Sequence, residues 1–179
     1  MIVGRTFAFA GGLAAALALP LAAASPVLVT VTGTVEANRG PIDEARDKLF
    51  LFTNNTFQAA HAFTLEALQA LPQETISTDF PKDGEMVEFT GPTFETLLEA
   101  AGATGDTVTV QALDGYAVEI SKAELVGKGG ILALALNGEP LAIGGMGPAM
   151  VAFPRATRED LADMPDDWWV WQIFHVKVE

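Results

Sequence analysis

The sequence predicts an α+β domain in which β-structure dominates. Three observations lead there. Short β-prone segments with partly alternating apolar and polar residues recur along the chain, separated by Gly, Pro, Asn and Asp turn signals. Only two or three short stretches carry helix caps and stops. No cysteine occurs among the 179 residues, so stability must come from a packed core rather than from disulfides.

The first 24 residues read as an export signal. Arg5 precedes an apolar run from Phe7 to Leu21, and Ala22-Ala23-Ala24 supplies a small-x-small cleavage pattern before Ser25. The run is short for a hydrocarbon core about 30 Å thick. It also contains Gly11, Gly12 and Pro20, and no basic stop follows it. A cleaved secretory signal is therefore expected, leaving residues 25–179 as a single domain with no stable membrane insertion. Arg5 stands alone rather than in a twin-arginine pair, which indicates the general secretory route into a bacterial periplasm.

The elements follow in order. Val27–Gly33 is β-prone and opens the domain as a strand. Asn38-Arg39-Gly40-Pro41 is a turn signal, and a polar stretch leads from it to the apolar group Leu49–Phe52. Thr64 caps a short helix over Leu65–Leu71, which Pro72 stops. Glu74–Phe80 alternates as a strand, Pro81–Gly84 turns, and Glu85–Phe89 returns. After Gly91-Pro92-Thr93, the residues Phe94, Leu97, Leu98 and Ala101 form the apolar stripe of the clearest helix, ended by Gly102; this stripe is expected in the core.

Thr107–Leu113 and Tyr116–Ile120 form strands joined at Asp114-Gly115, and Ser121 caps a turn reaching Glu124. Ile131–Leu136 reads as one apolar strand, with a tight turn at Asn137-Gly138 and a return over Leu141–Ile143. Arg158–Met164 suits a short helix. Trp168–Val178 reads as the last strand. Strict alternation there puts Val170, Phe174, Val176 and Val178 on one face, with Trp169, Trp171, Ile173 and His175 on the other.

In sequence order, Leu71–Thr78, Phe89–Ala103, Val108–Ser121, Ile131–Pro154 and Trp168–Val178 carry a recognisable series of motifs. The series is a short helix before LPQETIST, then FTGPTFETLLEAAGA, DGY, ILA with NG and PL, and a Gly-Pro pair followed by a further Pro. From about Phe63 to Val178 the chain resembles the oxidoreductase molybdopterin-binding domain, the catalytic-domain fold of sulfite oxidases. The resemblance implies that fold.

It also implies two groups that this chain lacks. In catalytic members a cysteine after the first matched helix ligates molybdenum. The comparable segment here is Thr75–Asp79, where Ser77 or Thr78 lies near the ligand position. An arginine commonly follows the family's Gly-Pro pair, but here Met150 occupies that place. Methionine offers neither the charge nor the fork of donors that binds an oxyanion. The chain is thus expected to be a degenerate member with no cofactor, and a molybdopterin-dependent oxidoreductase with a non-cysteine ligand is the alternative. A purely structural interaction protein is a third.

By analogy with that fold, a retained ligand cleft is expected to use Tyr116 and Asn137 as polar contacts, Met150 as an apolar wall, and Trp169 or Trp171 as an aromatic platform. No catalytic or metal residue is assigned. His61 and His175 are the only histidines and lack metal-ligand spacing. Neither Asp43, Glu44 and Asp47 nor Glu159, Asp160 and Asp163 reproduce a calcium loop, so both groups read as solvated surface. Ser25, Ser77 and Ser121 lack a nucleophile elbow.

Charge narrows the partners. A formal net charge of −13 disfavours nucleic acid and anionic bilayers. It favours a small ligand or periplasmic protein that is basic. The absent thiols exclude cysteine catalysis, disulfide exchange and cysteine-bound iron–sulfur clusters.

Overall fold

The computed structural model describes residues 25–179; the export signal expected over residues 1–24 lies outside them. β1 (Val27–Gly33) matches its expected span and alternates cleanly. Val29 and Val31 are fully buried in the main core, and Thr30 and Thr32 point to the opposite face. The next strand, β2 (Ala60–Thr64), pairs antiparallel with β1. The sequence pattern assigns no strand to this segment.

That helix, α2 (Leu65–Ala70), begins where Thr64 accepts a hydrogen bond from the Ala67 N–H at 3.2 Å. An earlier one, α1 (Lys48–Phe52), forms from the apolar group between β1 and β2. β3 (Glu74–Asp79) and β4 (Met86–Gly91) make the expected antiparallel pair. α3 (Phe94–Ala100) is capped by Thr93, and Phe94, Leu97, Leu98 and Ala101 are all fully buried. Its apolar stripe is core, as expected.

β5 (Thr107–Ala112) and β6 (Ala117–Ser121) form the predicted hairpin, and Ser121 caps α4 (Lys122–Gly127). The apolar run after α4 is not one strand. It divides into β7 (Ile131–Ala133) and β8 (Ala135–Leu136), which serve two different sheets. The return beside β8 is β9 (Glu139–Pro140), two residues earlier than expected. β10 (Met150–Ala152) pairs with β7, and the last strand is β11 (Ile173–Val178).

The largest sheet has the order β2-β1-β11-β5-β6, with β11 parallel to β1 and antiparallel to β5. The order β3-β4-β8-β9 makes the second sheet, and β7 with β10 the third. One core joins all three: Val29, Val31, Val108, Val110, Val176 and Val178 from the first meet Phe89, Leu132, Val151 and the α3 leucines. β4 and β7 approach closely enough that a Cβ on Gly91 would lie 1.9 Å from the Leu132 carbonyl oxygen. Only glycine fits there.

A smaller cluster of Phe50, Phe57, Ala60 and Phe174 covers the outer face of the large sheet. It explains a departure from the predicted alternation in the last strand. Ile173 opposes Ala112 but His175 opposes Gln111, so Phe174 and His175 together face a single residue. This bulge turns both outward, where their rings lie 5.1 and 5.3 Å from Phe50. Ile173 and Val176 remain in the main core. The strand also starts later than Trp168, because Asp166–Trp168 is a 3₁₀ turn and Gln172 has φ 56°. Arg158–Met164 likewise contains a 3₁₀ turn, Glu159–Leu161, rather than an α-helix.

Candidate functional site

The hairpin turn between β5 and β6 supplies the first wall of a cleft. Gly115 has φ 93° and its N–H reaches the Ala112 carbonyl at 3.0 Å, a conformation that glycine adopts without cost. The Tyr116 N–H donates to Asp114 Oδ1 at 2.9 Å. Its ring is therefore thrown across to the segment before β11, where the hydroxyl donates to the Asp167 carbonyl at 3.1 Å.

That segment supplies the second wall, and Arg155 holds it. Arg155 is 2% exposed. It donates to Asp79 Oδ1 at 2.8 Å, the Asp79 carbonyl at 2.6 Å, the Met164 carbonyl at 2.9 Å and Asp166 Oδ1 at 2.6 Å. One buried guanidinium thus fastens the end of β3 to the turn carrying Asp166–Trp168, using charge-assisted bonds to partly exposed carboxylates. Partial burial pushes the Asp79 carboxyl up, but the bonds from Arg155 and from the Asp83 N–H outweigh it and hold the group below its ordinary pKa. Nothing in the sequence pattern singled Arg155 out except that it directly follows the buried run Val151–Phe153 and Pro154.

Trp169 forms the floor. It is 1% exposed, stacks on Phe80 at 4.9 Å, meets Phe153 edge-on at 5.7 Å and carries Arg155 4.8 Å from its ring. Its Nε1–H has no hydrogen-bond partner. Trp171 stands at the rim with half its surface exposed. Beside it, Gln172 is anchored through its N–H to the Met146 carbonyl and through its side-chain amide to the Gly145 carbonyl. Tyr116, Trp169, Trp171 and Gln172, with Ala112 and the aspartates 114, 166 and 167, enclose a hollow of ≈520 Å³, within the usual range for a small-molecule site.

The other two residues expected at a cleft do not line this one. Asn137 has φ 49° in the β8–β9 turn, and its Oδ1 accepts from the Glu88 N–H at 2.8 Å. Its amide oxygen is engaged in closing that turn onto β4. Met150 is fully buried in β10 opposite Ala133. The glycine-rich approach to it reaches the cleft only through backbone carbonyls, at Gly145 and Met146.

The two histidines take separate partners. His61 Nδ1 lies 2.6 Å from the Glu36 carbonyl. His175 is buried on the bulge, with Nε2 2.7 Å from Thr32 Oγ1 and Nδ1 3.2 Å from Gln111 Oε1. Since the Gln111 oxygen only accepts, Nδ1 carries the proton and Nε2 accepts from the Thr32 hydroxyl. Burial, helped by the neighbouring Lys177 charge, lowers its pKa to about 4. Of the acidic group Asp43, Glu44 and Asp47, Asp47 is ion-paired with Arg39. Among the described residues no cluster of three or more His, Cys, Asp or Glu side chains is arranged to hold a metal.

No protein-family model matches the chain, and no curated protein matches it. Among solved structures it is similar to the sulfane dehydrogenase SoxCD from Paracoccus pantotrophus, with a TM-score of 0.57 and 17% sequence identity. The match covers 84% of this chain and 37% of that one. The fold is therefore sulfite-oxidase-like, the β-dominated α+β molybdopterin-binding architecture, and the chain spans little more than a third of that protein.

The residues present do not fit the molybdenum–pterin group that this fold implies. The chain has no thiolate to offer. In the segment expected to carry the ligand, Thr78 is fully buried with its hydroxyl unpaired inside the protein, and Ser77 lies in β3 opposite Glu88. Met150, where the resemblance leads one to expect an arginine, is sealed in the core. Arg155 is fully engaged by Asp79 and Asp166.

Proposed function

We propose that this sulfite-oxidase-like chain is an exported, non-catalytic recognition protein that holds a small ligand or a periplasmic partner in the cleft of Tyr116, Trp169 and Trp171. One observation carries the reading: the cleft combines aromatic walls, two of them open to solvent, with three aspartates, of which only Asp166 is neutralised by a buried arginine. Such a surface supplies stacking area with a few placed polar groups. Among the described residues it supplies no nucleophile–base pair and no cluster of three or more side chains arranged to hold a metal. The excess of acidic over basic residues in the sequence points the same way, toward a basic occupant.

Among the described residues no helix is long and apolar enough to cross a membrane. The export reading itself rests on the sequence of residues 1–24 and assigns the protein to the periplasm.

The test uses protein purified gently from its native source. The low-molecular-weight and protein fractions of the same compartment are each added to wild type and to Trp171→Ala, and thermal unfolding is followed. A stabilisation seen with wild type and lost in the variant supports recognition at this cleft; its absence with both fractions removes the reading. Molybdenum and pterin are assayed in the same preparation beside a loaded control enzyme. Stoichiometric amounts of both would overturn the non-catalytic assignment and favour the oxidoreductase alternative.

A further inference from the structure

We infer that the cleft selects a small organic ammonium cation, for which choline is the probe. The inference rests on the recognition reading above and names the ligand class of the same site.

The aromatic faces come first. Trp171 is 51% and Tyr116 52% exposed. Among the described residues neither ring stacks on another aromatic nor carries a cation. Trp168 and Trp169, by contrast, are engaged by Phe153, Phe80, Lys128 and Arg155. Two π faces with negative potential are thus left open at the mouth of one hollow.

Charge comes next. Asp114 and Asp167 have no basic partner among the described residues, while Asp166 is bound to Arg155. The uncompensated charge around the aromatic walls is negative. A neutral apolar molecule would leave it unused, and an anion would be repelled.

Hydrogen-bonding capacity is compatible with an ammonium group. A primary ammonium brings three N–H donors that need acceptors inside the site. The wall has acceptors to spare for such a group. Asp114 Oδ1 accepts from the Tyr116 N–H and the Asp167 carbonyl accepts the Tyr116 hydroxyl proton, while Asp114 Oδ2 and both Asp167 carboxylate oxygens make no hydrogen bond among the described residues. The carboxylates of Asp114 and Asp167 supply counter-charge, and the carbon atoms attached to the nitrogen present to the rings the apolar surface they can cover.

The experiment is calorimetric titration of the protein with choline and with 3,3-dimethylbutan-1-ol, in which carbon replaces the charged nitrogen at nearly the same shape. Choline is expected to bind about tenfold more tightly than the carbon isostere. Trp171→Ala and Tyr116→Ala, both at exposed positions and checked for wild-type circular dichroism, are expected to weaken choline by a comparable factor. Equal binding of the two probes overturns the cation assignment while leaving a recognition cleft in place. Choline binding that survives Trp171→Ala unchanged puts the cation elsewhere and also overturns it. Absence of choline binding at any attainable concentration removes the ligand class, and the test with native fractions then decides the broader reading by itself.

Discussion

His175 makes the stability of this protein acid-sensitive in a defined window. In the folded chain its pKa is about 4, and its ordinary value is 6.5. The fold therefore favours the neutral imidazole. Above pH 6.5 both folded and unfolded chains carry a neutral ring, and the full stability is present. As the pH falls from 6.5 toward 4, the unfolded chain takes up the proton first and stability declines. Below 4 both states are protonated and this loss is complete.

One pKa unit corresponds to about 1.4 kcal/mol, so the whole window accounts for about 3 kcal/mol, an appreciable share of the total stability of such a domain. Burial supplies most of the effect. Protonation would also force Nε2 to donate toward Thr32, which now donates to it. The assay is urea unfolding of wild type and His175→Gln at half-unit steps from pH 7.5 to 3.5. The variant starts from its own baseline, and only the difference in pH dependence matters. Wild type should lose about 3 kcal/mol more than the variant across the window. Carboxylates such as Asp79 titrate in both proteins and cancel. Parallel curves would refute the reasoning and show that the imidazole is as easily protonated in the fold as in the unfolded chain.

Two further substitutions separate structure from recognition. Arg155→Met leaves the partly exposed Asp79 and Asp166 without their shared cation; it should cost about 1.5–3 kcal/mol in urea unfolding and loosen the cleft wall, read as greater quenching of tryptophan fluorescence by acrylamide. Unchanged stability would mean that Arg155 is not the fastener described. Asn137→Ala removes the acceptor for the Glu88 N–H from a residue at positive φ and should lower stability by about 1–2 kcal/mol. Its ligand affinity at the cleft should equal that of wild type, whereas a loss of affinity would bring Asn137 back into the site.

The parts of the fold that depend on neighbouring residues were legible in the sequence. Thr64 caps the helix expected of it, and Ser121, expected to cap a turn to Glu124, caps α4, because a cap needs only its own side chain and an N–H three residues on. Val27–Gly33 was legible for the same reason. The last strand was not, since alternation cannot announce a bulge that depends on Phe50 and Phe57 lying across the sheet. Ile131–Leu136 was read as one strand because its unbroken apolar character hides the passage of the chain from one sheet to another.

The cleft was half legible. The resemblance brought Tyr116, Trp169 and Trp171 to attention, and they share one hollow. It also pointed to Asn137 and Met150, whose side chains are engaged by the β8–β9 turn and the core. Arg155 went unread because its carboxylate partners lie 76 and 11 residues away in sequence, a distance over which no local pattern operates.

The position of β11 has a consequence for the order in which the molecule can be built. It is the only link between the ribbon β2-β1 and the ribbon β6-β5, and it comes last along the described chain. The Thr32–His175 contact closes over 143 residues of sequence. A chain emerging from its amino end can form β1 with β2, or β5 with β6, but neither ribbon has its central neighbour until β11 is free. Loop closure over such lengths must precede the contacts that reward it. The large sheet therefore cannot close until β11 is available, however early its two ribbons form.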